Sequence, residues 1–214
     1  MKSPTSMKLC VAGVSVAAVF GVSGCATEEA FQPTPIGATW TYAQHNTGSF
    51  AAQLGASDLQ VQNKLVKRFW EGKEVNAYVS SQGSLYTTEE GDWLAVVGPD
   101  DKVFVRYDPP LSWPVALVVG KTTFGTNFQY VDAAGKSATS KVICSVNAYE
   151  DVKVPAGTFK AYKVVCTYPS GSTDIDWVSP KLSLFVKQSI NRTAGNAFGV
   201  GTQEIELVSQ SFWK

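Results

Sequence analysis

The stretch Glu150 to Gly171, EDVKVPAGTFKAYKVVCTYPSG, decides the fold class. Two runs rich in valine, threonine and aromatic residues flank Pro155-Ala156-Gly157, and such runs about a turn read as a β-hairpin. A three-residue loop is expected. Proline presets φ at its first position, glycine supplies the left-handed closing conformation, and Val154 would face Thr158. On the incoming strand Val142, Cys144, Val146 and Ala148 share one face, and on the outgoing strand Tyr162, Val164, Cys166 and Tyr168 do. Cys144 lies 11 residues before Pro155 and Cys166 lies 11 after it. The two are therefore directly opposite or one diagonal apart, according to where a bulge falls. Directly opposite residues are within disulfide reach, so a Cys144–Cys166 bridge is expected.

The same texture extends in both directions. ATWTYAQ (38–44), DLQVQNKLVKRFW (58–70), VNAYVSS (75–81), GSLYTTEE, DWLAVVG and KVFVRYD read as strands punctuated by Gly, Pro and Asp. In the second of these, Leu59, Val61, Leu65 and Phe69 alternate onto one face. PPLSWP (109–114) reads as a corner that interrupts the pattern. FQYVDAAGKSATSKVICSVNAYE reads as two strands about Ala134-Gly135-Lys136, and TQEIELVSQSFW as a last strand. One helix is expected, within SFAAQLGASDLQ (49–60). Short turns join antiparallel strands, whereas parallel pairs need long crossovers. The expected class is all-β with at most that short helix. About 9 to 12 strands would curl by their own twist into a barrel or half-barrel.

The N-terminus reads as an address. Lys2 and Lys8 precede an apolar run, Leu9 to Phe20, of about 12 residues, which suits a signal peptide and falls short of a membrane-crossing helix. Val22-Ser23-Gly24-Cys25 then resembles the bacterial lipobox. That resemblance implies diacylglycerol on the Cys25 thiol and cleavage before it. Either Met1 or Met7 can open such a signal. The expected organisation is a signal peptide over 1–24, a lipidated cysteine and tether over 25–36, and a single antiparallel β-domain over 37–214. The partner implied is a membrane, held through acyl chains worth about 0.8 kcal/mol per buried CH₂. Ala26 rather than Asp follows the cysteine, which in a Gram-negative source implies the outer membrane, facing the periplasm or exterior. Export places Cys144 and Cys166 in an oxidising compartment, which favours their bridge.

The mature domain resembles a group of uncharacterised exported bacterial β-domains. They share the VPAGTF turn (Val154 to Phe159), the segment Trp177-Val178-Ser179-Pro180 and the run Phe185-Val186-Lys187. WPVALVVGKT (113–122) resembles a further recurring element. The resemblance implies a curved antiparallel sheet and brings no reaction with it.

Chemistry is sparse. The 214 residues carry 18 basic and 18 acidic side chains, and loss of the signal leaves a net charge near −2. No basic run exceeds Lys67-Arg68, which argues against nucleic acid as a partner. His45 is the single histidine, no Gly-x-Ser-x-Gly elbow exists, and the residue reads as a surface group. No zinc set, phosphate loop or cofactor motif is present. DIDW (174–177) and PDD (99–101) lack calcium-loop spacing and read as strand-edge and turn acids. Glu89-Glu90 and Glu150-Asp151 are neighbours in sequence only, since adjacent strand residues point to opposite faces. No catalytic residues and no metal site are assigned. The tryptophans at 40, 70, 93, 113, 177 and 213 remain as packing groups, some of them candidates to line the mouth of a curved sheet. The expected function is a non-enzymatic binding or assembly module of the cell envelope, holding an apolar ligand or a partner's segment. The alternatives are a purely structural envelope lipoprotein and, less favoured, a carboxylate-based hydrolase.

Overall fold

The computed structural model describes residues 31–132 and 135–213. The signal, Cys25 and the choice between Met1 and Met7 lie outside the described residues. The chain forms β1 (Thr39–Asn46), α1 (Gly48–Leu54), β2 (Asp58–Trp70), β3 (Lys73–Ser80), β4 (Gly83–Thr87), β5 (Trp93–Val97) and β6 (Val103–Leu111). It continues through β7 (Thr123–Val131), β8 (Ser137–Val154), β9 (Gly157–Thr167), β10 (Thr173–Ser179), β11 (Leu184–Arg192) and β12 (Gly201–Gln210). Each strand pairs antiparallel with its chain neighbour, and β1 pairs with β12, so the sheet is a closed barrel. Closure decides between the barrel and the half-barrel, and leaves no free sheet edge.

The central hairpin is tighter than expected. Val154 pairs with Gly157 and Lys153 with Thr158, so the loop is the two residues Pro155-Ala156. Gly157, at φ +135°, opens β9 in a conformation that a side chain would strain. That register alone would place Cys144 opposite Thr167. A bulge between Val146 and Ala148 absorbs one residue and slides Cys144 directly opposite Cys166. The two sulfurs are bonded at 2.02 Å, with Cα atoms 4.0 Å apart. The same bulge turns Ala148 off the Cys144 face and sets Tyr149 opposite Tyr162, their rings 4.4 Å apart.

Three local expectations need correction. The helix stops at Leu54 with Gly55 left-handed, and residues 58–60 belong to β2. Strand β6 runs through Pro109 and Pro110, where no ladder pairing occupies the positions whose N–H proline lacks. Leu59, Val61 and Leu65 face inward, but Phe69 lies beyond the rim of the barrel and is 75% exposed.

The interior changes character along the barrel axis. At the end where β1 begins, Trp40, Tyr42, Leu65, Val186, Ile205 and Leu207 pack with Val152, Val154 and Ala161 of the hairpin. At the other end the same faces carry Gln44 and Asn46 on β1, Gln203 on β12, and Asp176 and Asp174 on β10. Gln44 exchanges amide hydrogen bonds with Gln82, and the Gln203 amide donates to Asn46 at 2.8 Å. The described start of the N-terminal segment lies against the apolar end. Phe31 stacks on Tyr162, the Gln32 N–H donates to the Pro180 carbonyl at 2.9 Å, and the Thr34 hydroxyl donates to the Leu182 carbonyl at 3.1 Å.

Candidate functional site: an acidic, aromatic-walled cavity inside the barrel

Strand β10 supplies the floor. In Asp174-Ile175-Asp176-Trp177-Val178 the odd positions point outward and the even ones inward, so both aspartates enter the barrel on the Val178 face. Asp176 is 4% exposed. The strands on either side complete the surroundings. Cys166 and Ile190 flank Asp174 in register, and Val164 and Gln188 flank Asp176. Around this floor lies a cavity of about 680 Å³, walled by Trp93, Tyr107, Trp113, Phe128 and Tyr130, with the Cys144–Cys166 bridge in its lining. Pro169, Ser170, Gly195 and Asn196, from the loops that join β9 to β10 and β11 to β12, stand at its mouth. The mouth is therefore at the polar end, opposite the docked N-terminal segment.

Each aspartate has one neutral donor. The Tyr168 hydroxyl donates to Asp174 Oδ2 at 2.5 Å, and the Gln188 amide donates to Asp176 Oδ1 at 2.8 Å. Arg192 is the single cation in the lining. Its guanidinium lies 3.8 Å from the Phe50 ring centroid and 5.5 Å from that of Phe198, and it makes a long bond to the Phe198 carbonyl. No ion pair among the described residues joins it to either aspartate.

The electrostatics follow from burial. Loss of solvent raises the Asp176 pKa to about 7, the charge of Asp174 adds to the rise, and the Gln188 bond opposes it. Burial also raises Asp174, against the Tyr168 bond and the more distant Arg192 charge. Tyr107 and Tyr168 are pushed above the ordinary phenol range, first by burial and then by the charge of Asp174, so both stay neutral. Burial lowers Arg192 from its usual value, with Asp174 and Tyr168 opposing.

The reading of DIDW as strand-edge acids is therefore wrong. A strand whose inward face changes from apolar to acidic within five residues places its carboxylates inside. The alternation Asp174, Asp176, Val178 was the available signal, together with Gln188, Ile190, Arg192 on β11. PDD does behave as a turn: Asp100 pairs with Lys102 at 2.7 Å on the surface. His45 is also on the surface, with Nδ1 2.8 Å from Asp58 Oδ1. Of the sequence-adjacent acids, Glu150 and Asp151 alternate along β8, whereas Glu89 and Glu90 lie in the turn after β4. Glu89 meets Lys67 at 2.6 Å, Asp151 meets Lys160 at 3.0 Å, and Glu150 accepts from the Trp177 indole at 2.7 Å. Trp93 and Trp113 line the cavity. Trp40 is core, and Trp70 packs on Tyr86 on the opposite side of the sheet wall.

Comparisons with known proteins reach the chain trace and stop there. No family model matches this sequence, and no curated protein matches it. Among solved structures it is similar to an exported-protein candidate with a YmcC-like fold (BF2203) from Bacteroides fragilis, at TM-score 0.48 and 13% identity, covering 86% of this chain and 99% of that one. It is similar to a lipoprotein candidate from Parabacteroides distasonis, at TM-score 0.46 and 11% identity, covering 86% and 99%. It is also similar to the hypothetical lipoprotein YmcC from Escherichia coli, at TM-score 0.45 and 12% identity, covering 83% and 86%. No residue role transfers from likenesses of this size.

Proposed function

We propose that this protein is a lipid-anchored binding module of the bacterial envelope, and that the barrel interior is its ligand site. The observation that carries the binding reading is the cavity itself. It falls in the size range of small-molecule sites, has aromatic walls, and converges on two buried carboxylates. Two inward carboxylates with raised pKa values destabilise the fold at neutral pH, which is characteristic of functional positions. The anchor rests on the lipobox that ends at Cys25. Phe31 lies six positions after Cys25, a reach of at most about 20 Å, so the docked end of the barrel faces the bilayer and the mouth faces away. Exposed Ile36, Phe69 and Val115 stand at that same end.

The anchor is tested by Cys25→Ser. A hydroxyl does not replace the thiol as lipid acceptor, so the variant is expected to leave the membrane fraction. Full retention there overturns the anchor. The binding reading is tested by native mass spectrometry of protein purified from its own host. A small molecule released on unfolding supports it, and an empty barrel under conditions that retain weak ligands counts against it.

One observation favours a second reading. A carboxyl group near pKa 7 beside another carboxylate has the form of a general acid, so carboxylate-based hydrolysis merits a test. Turnover within a panel of ester, glycoside and phosphodiester substrates, lost in Asp176→Asn, would replace binding with catalysis.

A further inference from the structure

The chemistry of the cavity also specifies what it takes, provided the interior is a ligand site at all. We propose that the ligand carries a protonated amine on an apolar body, with the ammonium seated against Asp176 and the body against the aromatic wall. Charge is the first argument. The lining holds two aspartates and one arginine, and no lysine. Arg192 is committed to the Phe50 and Phe198 rings and to the Phe198 carbonyl, and it pairs with neither carboxylate. With both aspartates ionised the cavity lacks one positive charge.

Hydrogen bonding is the second argument. Gln188 occupies one oxygen of Asp176, leaving the other as an acceptor toward the cavity that the residue lines. Tyr168 satisfies Asp174. A buried carboxylate is stable as an anion when a cation or several donors meet it, and an ammonium brings both.

The walls are the third argument. Trp93, Tyr107, Phe128 and Tyr130 surround the floor, and aromatic faces attract cations as well as apolar surface. A carboxylate-bearing ligand would meet repulsion there. A metal ion lacks ligands, since no group of three or more His, Cys, Asp or Glu gathers among the described residues.

Ionisation supports the assignment. Asp174 on β10, Gln188 on β11, Tyr42 on β1, Tyr107 on β6 and Tyr168 beyond β9 face Asp176, while Arg192 on β11 acts on Asp174. Burial raises Asp174 and lowers Arg192, and it keeps the tyrosines protonated. Amine binding must therefore strengthen as pH rises through about 7, where Asp176 ionises.

The test uses the lipidated full chain in detergent and three probes on one skeleton: 4-phenylbutylamine, 4-phenylbutanol and 4-phenylbutyrate. Affinities are read by isothermal titration calorimetry at pH 8. The amine is expected to bind at least about tenfold more tightly than the alcohol, with the carboxylate weakest. Asp176→Asn is expected to abolish that margin, the amine then binding no more tightly than the alcohol. Asp58→Asn, which removes a surface carboxylate, keeps the margin. If the alcohol or the carboxylate binds most tightly, the amine assignment falls and cavity binding stands. If none of the three binds, both fall. An amine margin that survives Asp176→Asn, with the β circular-dichroism spectrum unchanged, overturns the seat at Asp176. Should Asp176→Asn fail to fold, the wild-type profile decides: an amine margin unchanged between pH 5 and pH 8 overturns the proposal.

Discussion

The two ends of the barrel are built on the same strands and bury their side chains for different reasons. Along β1 the inward face reads Trp40, Tyr42, Gln44, Asn46, and along β12, in the same direction, it reads Leu207, Ile205, Gln203. At the end where β1 begins the inward groups are mainly apolar, with Thr87 and Ser179 buried among them, and the hairpin tip folds over it. At the mouth the inward groups add amides, acids and one arginine to the aromatic wall, with links Gln44–Gln82, Gln203–Asn46 and Gln188–Asp176. Burial at the first end removes apolar surface from water, which stabilises at about 25 cal/mol per Å². Burial at the second desolvates polar and charged groups, which hydrogen bonds offset where they form and which costs stability where a carboxylate lacks a cation. The apolar end therefore contributes most of the burial that holds the barrel closed, and the polar end carries the desolvation cost.

The largest expected effect comes from breaking this division. Val186→Asp places a carboxylate in the apolar end, two residues from Gln188, with no donor arranged for it. It should cost about 5 kcal/mol or leave no folded protein, as read by urea denaturation. If the variant is as stable as wild type, the apolar end is not the closed core described above. Asp176→Asn reverses the experiment at the mouth. The folded-state pKa is raised from 3.8 to about 7, so the folded protein binds this proton more tightly than the unfolded chain. Its penalty is absent below the unfolded value, grows as pH rises from about 4 to about 7, and is complete above that. Asp176→Asn should then gain on the order of 4 kcal/mol at pH 8, at about 1.4 kcal/mol per pKa unit, and little near pH 4. A gain of equal size at both pH values would show that ionisation is not the source.

The Cys144–Cys166 bridge joins strands whose inward faces line the cavity. Its separation of 22 residues predicts a stabilisation of about 3 kcal/mol in the chain-entropy account, and reduction should lower the melting temperature by roughly 6–12 °C. Two reactive thiols per chain from Cys144 and Cys166, counted on unfolded and unreduced protein, would rule the bridge out. The smallest effect belongs to Gly157→Val at the hairpin tip. A β-branched residue at φ +135° is strained and should cost about 2 kcal/mol in a urea melt. On the proposed binding reading, affinity should stay unchanged, because this turn belongs to the apolar end. A change in affinity would mean that the two ends are coupled.

Much of this was legible in the chain because it is local. Period-two alternation, the Pro155-Ala156 turn, the short helix before Gly55 and the shared face of Cys144 and Cys166 depend on neighbours within a few residues. The loop length at Pro155 was misjudged by one residue, and the bulge at Asn147 made up the difference. Nothing in the local pattern places a bulge, because it is set by how β8 must bend to stay in register with β7 and β9 together.

The site was not legible for the same kind of reason. Asp174 and Asp176 looked like edge acids because sequence alternation tells which residues share a face, and closure tells which face is inside. Only β1 meeting β12 turns one face of the sheet into an interior, and only then do Trp93 and Trp113, about sixty to eighty positions away, stand against the β10 carboxylates. Strand identity, hairpin order and the polarity gradient were determined by the sequence itself, through short-range sterics and apolar spacing. Register, closure and the gathering of distant charges in a dry interior were decided by the tertiary structure, because desolvation and Coulomb energy depend on distance in space.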